Sequence, residues 1–214
     1  MGRLAVVGGT ATAGIDLPPG DWIELNRHGD PYTLPHRIDH AANMRRLVDA
    51  GCDRVLAICS VGGLQPQLGP GTFVCPDDFI ALDTSLTTLE GLAAHRVPGF
   101  DPEWRGRVIE AWGNEAQPPL IDGGVYWHAL GPRLETPAEI RLIARDADVI
   151  GMTMAAECVV AGEVGLAYAA ICAVVNYANG IGEEPLTMAE VSDGASLMRA
   201  ALGEALAAVL PKLA

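Results

Sequence analysis

Lysine is almost missing from this chain of 214 residues: Lys212 is the only one, and every other basic residue is an arginine. The formal net charge is −13, which argues against nucleic acid or an anionic membrane as the main partner, since both need a basic surface. A small anion held by a few local arginines is not excluded. Aromatics make up only 5%, while Ala and Gly are abundant, a composition suited to close helix–sheet packing. Cysteines in CxxC spacing are also lacking. Cys52, Cys59, Cys75, Cys158 and Cys172 are scattered, odd in number and mostly set in apolar segments. That pattern predicts reduced, buried thiols and no metal site. A basic–apolar–small leader is not seen, and Glu157 and Glu163 break the longest apolar run, so a soluble, cytoplasmic protein is expected.

What is present is a repeated design of apolar strand, polar exit and helix. "RLAVVGGT" (3–10) is a strand running into glycines, and "RVLAICSVGGL" (54–64) repeats it after a helical stretch, 40–52, ending at Gly51. Residues 71–82 read as one or two strands, 102–113 as a helix stopped by Gly113, and 123–130 as a strand. The segment 136–147 has a helix start in Thr136, Pro137 and Glu139. Residues 148–152 form a strand, 155–165 a helix, 167–178 a strand, and a long amphipathic helix closes the chain. Without a repeat or linker, this predicts one α/β domain over 1–214, with a mixed, largely parallel β-sheet flanked by helices.

Ligands of such sheets bind where strands exit into loops. The polar exits here are 8–10, 26–29, 59–63, 131–136, 151–153 and 176–180. Singly they are weak signals: Arg27 and His28 fit a solvated pair, Glu135 a helix start, and Asn176 a turn.

Taken in order, "GGT", "RHG", "SVGGL", "GPRLET", "GMT..AE" and a strand ending in "NYA" resemble the trimeric purine nucleoside phosphorylase and methylthioadenosine phosphorylase family, over roughly residues 4–200. The resemblance implies a phosphorylase-like fold and cleavage of an N-glycosidic bond by inorganic phosphate, a co-substrate, with no cofactor. It implies a phosphate site of Thr10, Arg27, His28, Ser60 (through its backbone) and Thr153. Met152 would lie under the ribose. Glu135, with Leu134 beside it, and Asn176 would meet the base, Asn176 as the catalytic group at N7. Homotrimers sharing sites between neighbours are implied as well, with 84–101 and His95 at the contact.

The two base-facing residues select by hydrogen-bond polarity. A 6-oxopurine presents an O6 acceptor and an N1–H donor; adenine presents the reverse. Glu135 accepts from N1–H and Asn176 donates to O6, so the pair favours hypoxanthine or guanine. The resemblance also implies that Met188, at the start of the last helix, meets the sugar's 5′ end, where an apolar side chain favours a 5′-methylthio group over a hydroxyl. It could equally be a core residue. The combination resembles the S-methyl-5′-thioinosine phosphorylase branch. Residues 11–26 and 84–101 are shorter than the family's corresponding segments. A methylthioadenosine or general nucleoside phosphorylase, a hydrolase, and a purine-binding protein on a degenerate scaffold stay open as alternatives.

Overall fold

The computed structural model describes residues 2–182 and 186–214. The strands are β1 (Arg3–Gly8), β2 (Trp22–Asn26), β3 (Cys52–Gly63), β4 (Phe73–Cys75), β5 (Asp78–Ile80), β6 (Leu120–Asp122), β7 (Val125–His128), β8 (Val149–Gly151) and β9 (Ala167–Tyr177). The helices are α1 (His40–Asp49), α2 (Pro102–Glu115), α3 (Pro137–Ile143), α4 (Met154–Glu163) and α5 (Met188–Leu213).

The strands form a nine-stranded sheet whose longest path runs β5-β7-β8-β3-β9-β4-β6, with β1 and β2 branching from β3. Most neighbours are parallel; β3–β8 and β4–β9 are antiparallel. The expected α/β fold with a mixed, largely parallel sheet is what the chain adopts.

β3 and β9 pair along nearly their whole length and are apolar on both faces, as central strands covered on both sides must be. Side chains alternate between two cores. Val55, Ala57, Cys59 and Val61 face α1 and α4, while Leu56 and Ile58 face α2 and α5. A third, smaller cluster packs Ile140 and Ile143 of α3 against Leu64, Ile150 and Ala178. All five cysteines are buried and free.

Helix starts follow local chemistry. Asp39 caps α1 by accepting from the Ala42 amide at 2.8 Å, and Asp101 caps α2 by accepting from Trp104 at 2.8 Å. Thr136 with Glu139, and Thr187 with Glu190, form reciprocal capping boxes on α3 and α5. Two expectations are corrected. Gly113 does not stop α2, which continues to Glu115: the residue is in ordinary helical backbone, unlike Gly51 after α1, whose φ is 81°. α3 ends at Ile143 rather than running to 147.

The register of β3 creates the feature that positions the site. On one edge, β1 pairs with β3 only as far as Val7–Ala57, and β8 takes over at Gly62. Between them, Ile58–Val61 has no strand partner on that side among the described residues, so the sheet forks. On the other edge, Val61 pairs with Val174 but Gly62 pairs with Asn176. Val175 is thus an extra residue, a β-bulge that re-aims Asn176 at the strand exit.

Candidate active site

A cavity of about 230 Å³ opens at the fork. All ten residues singled out in the sequence line it: Thr10, Arg27, His28, Ser60, Leu134, Glu135, Met152, Thr153, Asn176 and Met188. Sequence separation is no guide to this convergence, since Thr10 and Met188 stand near opposite ends of the chain. Tyr32, Leu34, Pro132, Ile150, Leu186 and Val191 also line the cavity without having been foreseen.

Arg27 leaves β2 and inserts its guanidinium into the fork. Nη1 donates to Ile58 O at 2.8 Å and Nη2 to Val7 O at 3.1 Å, satisfying carbonyls that the missing strand leaves open. Nε donates to Glu157 Oε1 at 2.6 Å and Nη2 to Glu157 Oε2 at 3.2 Å. Both residues are buried. Burial works to lower the Arg27 pKa, but the Glu157 carboxylate overrides it and the net shift is upward. Tyr168 adds a hydrogen bond to Glu157 at 3.0 Å, and His40 Nδ1 lies 3.8 Å away. Arg27 is therefore not a solvated arginine: most of its donors are committed to the protein. Its partner, 130 residues along the chain, sits in the "GMT..AE" motif, where a lone carboxylate amid alanines and valines is the visible signal.

His28 is fixed differently. Its Nδ1–H donates to Thr33 O at 2.7 Å and its ring stacks on Tyr32 with centroids 4.4 Å apart. Burial, with Arg27 nearby, lowers its pKa despite the Thr33 carbonyl, so the neutral ring is favoured. With Nδ1 holding the proton, Nε2 is an acceptor, suited to a protonated phosphate oxygen. Ser60 Oγ is buried and has no protein partner among the described residues. Thr153 precedes α4 without capping it.

Asn176, paired with Gly62 further along β3, lines the cavity, as does Glu135. Burial, with Glu139 nearby, raises the Glu135 pKa above the usual carboxylate value. Asn179, beyond β9, donates to Glu135 O at 3.0 Å and ties the "GPRLET" loop to the β9 exit. Asn176 Nδ2 donates to Tyr177 O at 2.7 Å. Its second amide hydrogen and Oδ1 have no protein partner among the described residues. Met152, Leu134 and Met188 also line the cavity. Met188 is 64% exposed, so its alternative reading as a core residue is removed.

His95 is exposed and distant in sequence from every residue lining this cavity. Among the described residues no cluster of His, Cys, Asp and Glu could hold a metal ion, and no helix is long and apolar enough to cross a membrane.

A family model described as "Phosphorylase superfamily" matches residues 23–211. A probable 6-oxopurine nucleoside phosphorylase of Archaeoglobus fulgidus is 38% identical over 188 residues, covering 86% of this chain and 77% of that protein. A probable S-methyl-5′-thioinosine phosphorylase of Xanthomonas campestris pv. campestris is 39% identical over 177 residues, covering 78% and 70%. Among solved structures, methylthioadenosine phosphorylase from Schistosoma mansoni in complex with adenine superposes with a TM-score of 0.83 at 23% identity, covering 98% of this chain and 91% of that one. At that identity the likeness speaks for the fold.

Proposed function

The chain belongs to the phosphorylase superfamily and is a pentosyltransferase of the nucleoside phosphorylase type, and from that premise we propose that its substrate is a 6-oxopurine nucleoside, S-methyl-5′-thioinosine first. The observation that carries the reading is the convergence of these groups on one cavity. Thr10, Arg27, His28, Ser60 and Thr153 line it together with Glu135, Asn176 and the apolar Met152 and Met188, and Arg27 meets β3 at Ile58 while Asn176 pairs with Gly62 of the same strand.

Phosphate is a weak nucleophile and must be held close to C1′ in one orientation. Arg27, oriented by Glu157, supplies the positive charge. Thr10 and Thr153 supply hydroxyls, and neutral His28 accepts from the P–OH of hydrogen phosphate through Nε2. A phosphate oxygen bonds to C1′ as the C1′–N9 bond breaks, and the bonding pair leaves with the purine. Met152 lies under the sugar as positive charge develops there. The departing base takes a proton from water at N7, matched by the P–OH proton that the phosphate releases to water, and that N7–H donates to Asn176 Oδ1 while the free Asn176 amide hydrogen meets O6. Glu135 accepts from N1–H. Adenine would place a lone pair against the Glu135 carboxylate, leaving both unpaired. The products are hypoxanthine and 5-methylthioribose 1-phosphate.

Met188 at the cavity wall supports the apolar 5′ group, and relatives named for both oxo-purine activities are consistent with the base assignment. A homotrimer completes the proposal. Leu92 and Val97, exposed within 84–101, give a second copy of the chain an apolar surface to cover.

The test is ultraviolet detection of hypoxanthine released from methylthioinosine with and without phosphate. Phosphate-dependent release is expected. Release without phosphate would mean a hydrolase, and no release from any nucleoside would mean a purine-binding protein.

A further inference from the structure

α4 starts without the help that its preceding threonine would ordinarily give. Thr153 has φ −136° and ψ −36°, and its hydroxyl makes no capping hydrogen bond. The extended backbone from which a threonine hydroxyl reaches the second and third helical amides is a different conformation. The contrast is internal to this molecule: Thr136 and Thr187, with ψ of 157° and 160°, cap α3 and α5 in the ordinary way.

At α4 another side chain takes hold. Tyr126, fully buried on β7, accepts hydrogen bonds at its hydroxyl from the Thr153 amide at 3.3 Å and the Met154 amide at 3.4 Å. Gly151 makes room for it, since a Cβ there would overlap the Tyr126 hydroxyl oxygen. The grip is on the two amides whose orientation decides the backbone angles of Thr153.

We propose that Tyr126 is a positioning residue: by holding the Thr153 and Met154 amides, it keeps Thr153 in a non-capping conformation and leaves its hydroxyl to the anion in the cavity. The inference rests on the reading of the cavity around Arg27 as a phosphate site. A threonine hydroxyl turned back to cap its own helix points along the helix axis and cannot also meet an anion beside it. Tyr126 thus acts on the reaction through Thr153, without touching substrate.

The test is a cycle of Tyr126→Phe and Thr153→Val, read by melting midpoint and by the separate KM values for phosphate and nucleoside. In the otherwise unaltered protein, Thr153→Val should leave the melting midpoint in place and raise the phosphate KM by about 10- to 150-fold, the range for a lost hydrogen bond to a charged group. Tyr126→Phe should raise the phosphate KM by a similar factor and leave the nucleoside KM within about twofold of its original value. In the Tyr126→Phe background the freed hydroxyl caps α4. Thr153→Val should then lower the melting midpoint by about 2–4 °C and no longer change the phosphate KM.

If Thr153→Val alone lowers the midpoint as a lost cap does, the hydroxyl was capping all along and the proposal is overturned, whether or not Tyr126→Phe folds. Equal phosphate penalties for Thr153→Val in both backgrounds overturn it too. If the melting results are as expected but Thr153→Val leaves the phosphate KM unmoved, the hold by Tyr126 stands and the phosphate role of Thr153 falls.

Discussion

Arg27→Ala suggests itself as the way to isolate a phosphate contact, but the buried pair with Glu157 makes that substitution do two things at once. It removes a cation beside the cavity and strands a fully buried carboxylate. Removing one partner of a buried ion pair costs about 3–5 kcal/mol. In a chain of this length each kcal/mol moves the melting midpoint by about 2–4 °C, so either Arg27→Met or Glu157→Gln should lower it by roughly 6–20 °C. Replacing the whole set separates stability from binding. In Arg27→Met/Glu157→Leu/Tyr168→Phe no charge is left buried and the Tyr168 hydroxyl, which donates to Glu157, goes with it. More than half of the lost stability should return. The remainder reflects Val7 O and Ile58 O, which lose the donors that Arg27 gave them. The phosphate KM of this triple variant should still be about 10- to 150-fold above the original, because the charged contact is gone. Urea melts and phosphate titrations of methylthioinosine phosphorolysis measure both. An unchanged phosphate KM in a folded triple variant would remove Arg27 from the anion site. A cost below about 1 kcal/mol for Glu157→Gln would refute the ion-pair reasoning itself.

Base choice is tested by Asn176→Asp, which should weaken hypoxanthine release and improve relative activity on methylthioadenosine, since a protonated Asp donates to N7 and accepts from a 6-amino group; an unmoved preference in kcat/KM would reduce Asn176 to a turn residue. Stability should fall with acid. Burial first, and His40 second, hold the His128 pKa at about 4 against the pull of Asp83. Because the folded value lies below the ordinary 6.5, the stabilisation is complete above pH 6.5 and is lost as pH drops towards 4, worth up to about 3 kcal/mol. Denaturant melts between pH 7 and 4 should show that loss, and His128→Gln should flatten it; a parallel pH profile in the variant would sink the assignment. Sedimentation at working concentration should give the mass of three chains, and a monomer would mean that the shortened 84–101 no longer supports the contact.

The parts of the fold that are local in cause were legible in the sequence. The helix start at Thr136 is written in four residues, and the capping box found there is the one the spacing predicts. Gly113 misled because a glycine in a helix, without a positive φ, has no local mark that separates it from a stop. The short β6 was missed because three residues, two of them exposed, carry no periodicity. At the site, residue identities were legible from ordered motifs at the strand exits. Their arrangement was not. That Arg27 spends its donors on Glu157 and two carbonyls follows from the fork in the sheet, and the aim of Asn176 follows from the bulge at Val175. Both are matters of register between distant strands, which composition along one strand does not encode. Tyr126 is hidden for a related reason: its partners are backbone amides, which every sequence possesses.

The fork bears on which changes of length this protein can absorb. The pocket around Arg27 is framed by where β1 stops and β8 begins along β3, rather than by the reach of any loop. Deleting residues from 13–21, ahead of β2, or from 84–101 shifts no strand against another, so the proposed cradle for the anion is indifferent to such trimming. A single residue inserted within β3 between Ala57 and Gly62 would be another matter. It would rotate every following side chain to the opposite face and tear the cradle apart. Evolution can thus shorten the surface connections of this scaffold while the proposed anion site stays fixed, and insertion scanning across β3 and the two short segments would draw that boundary residue by residue.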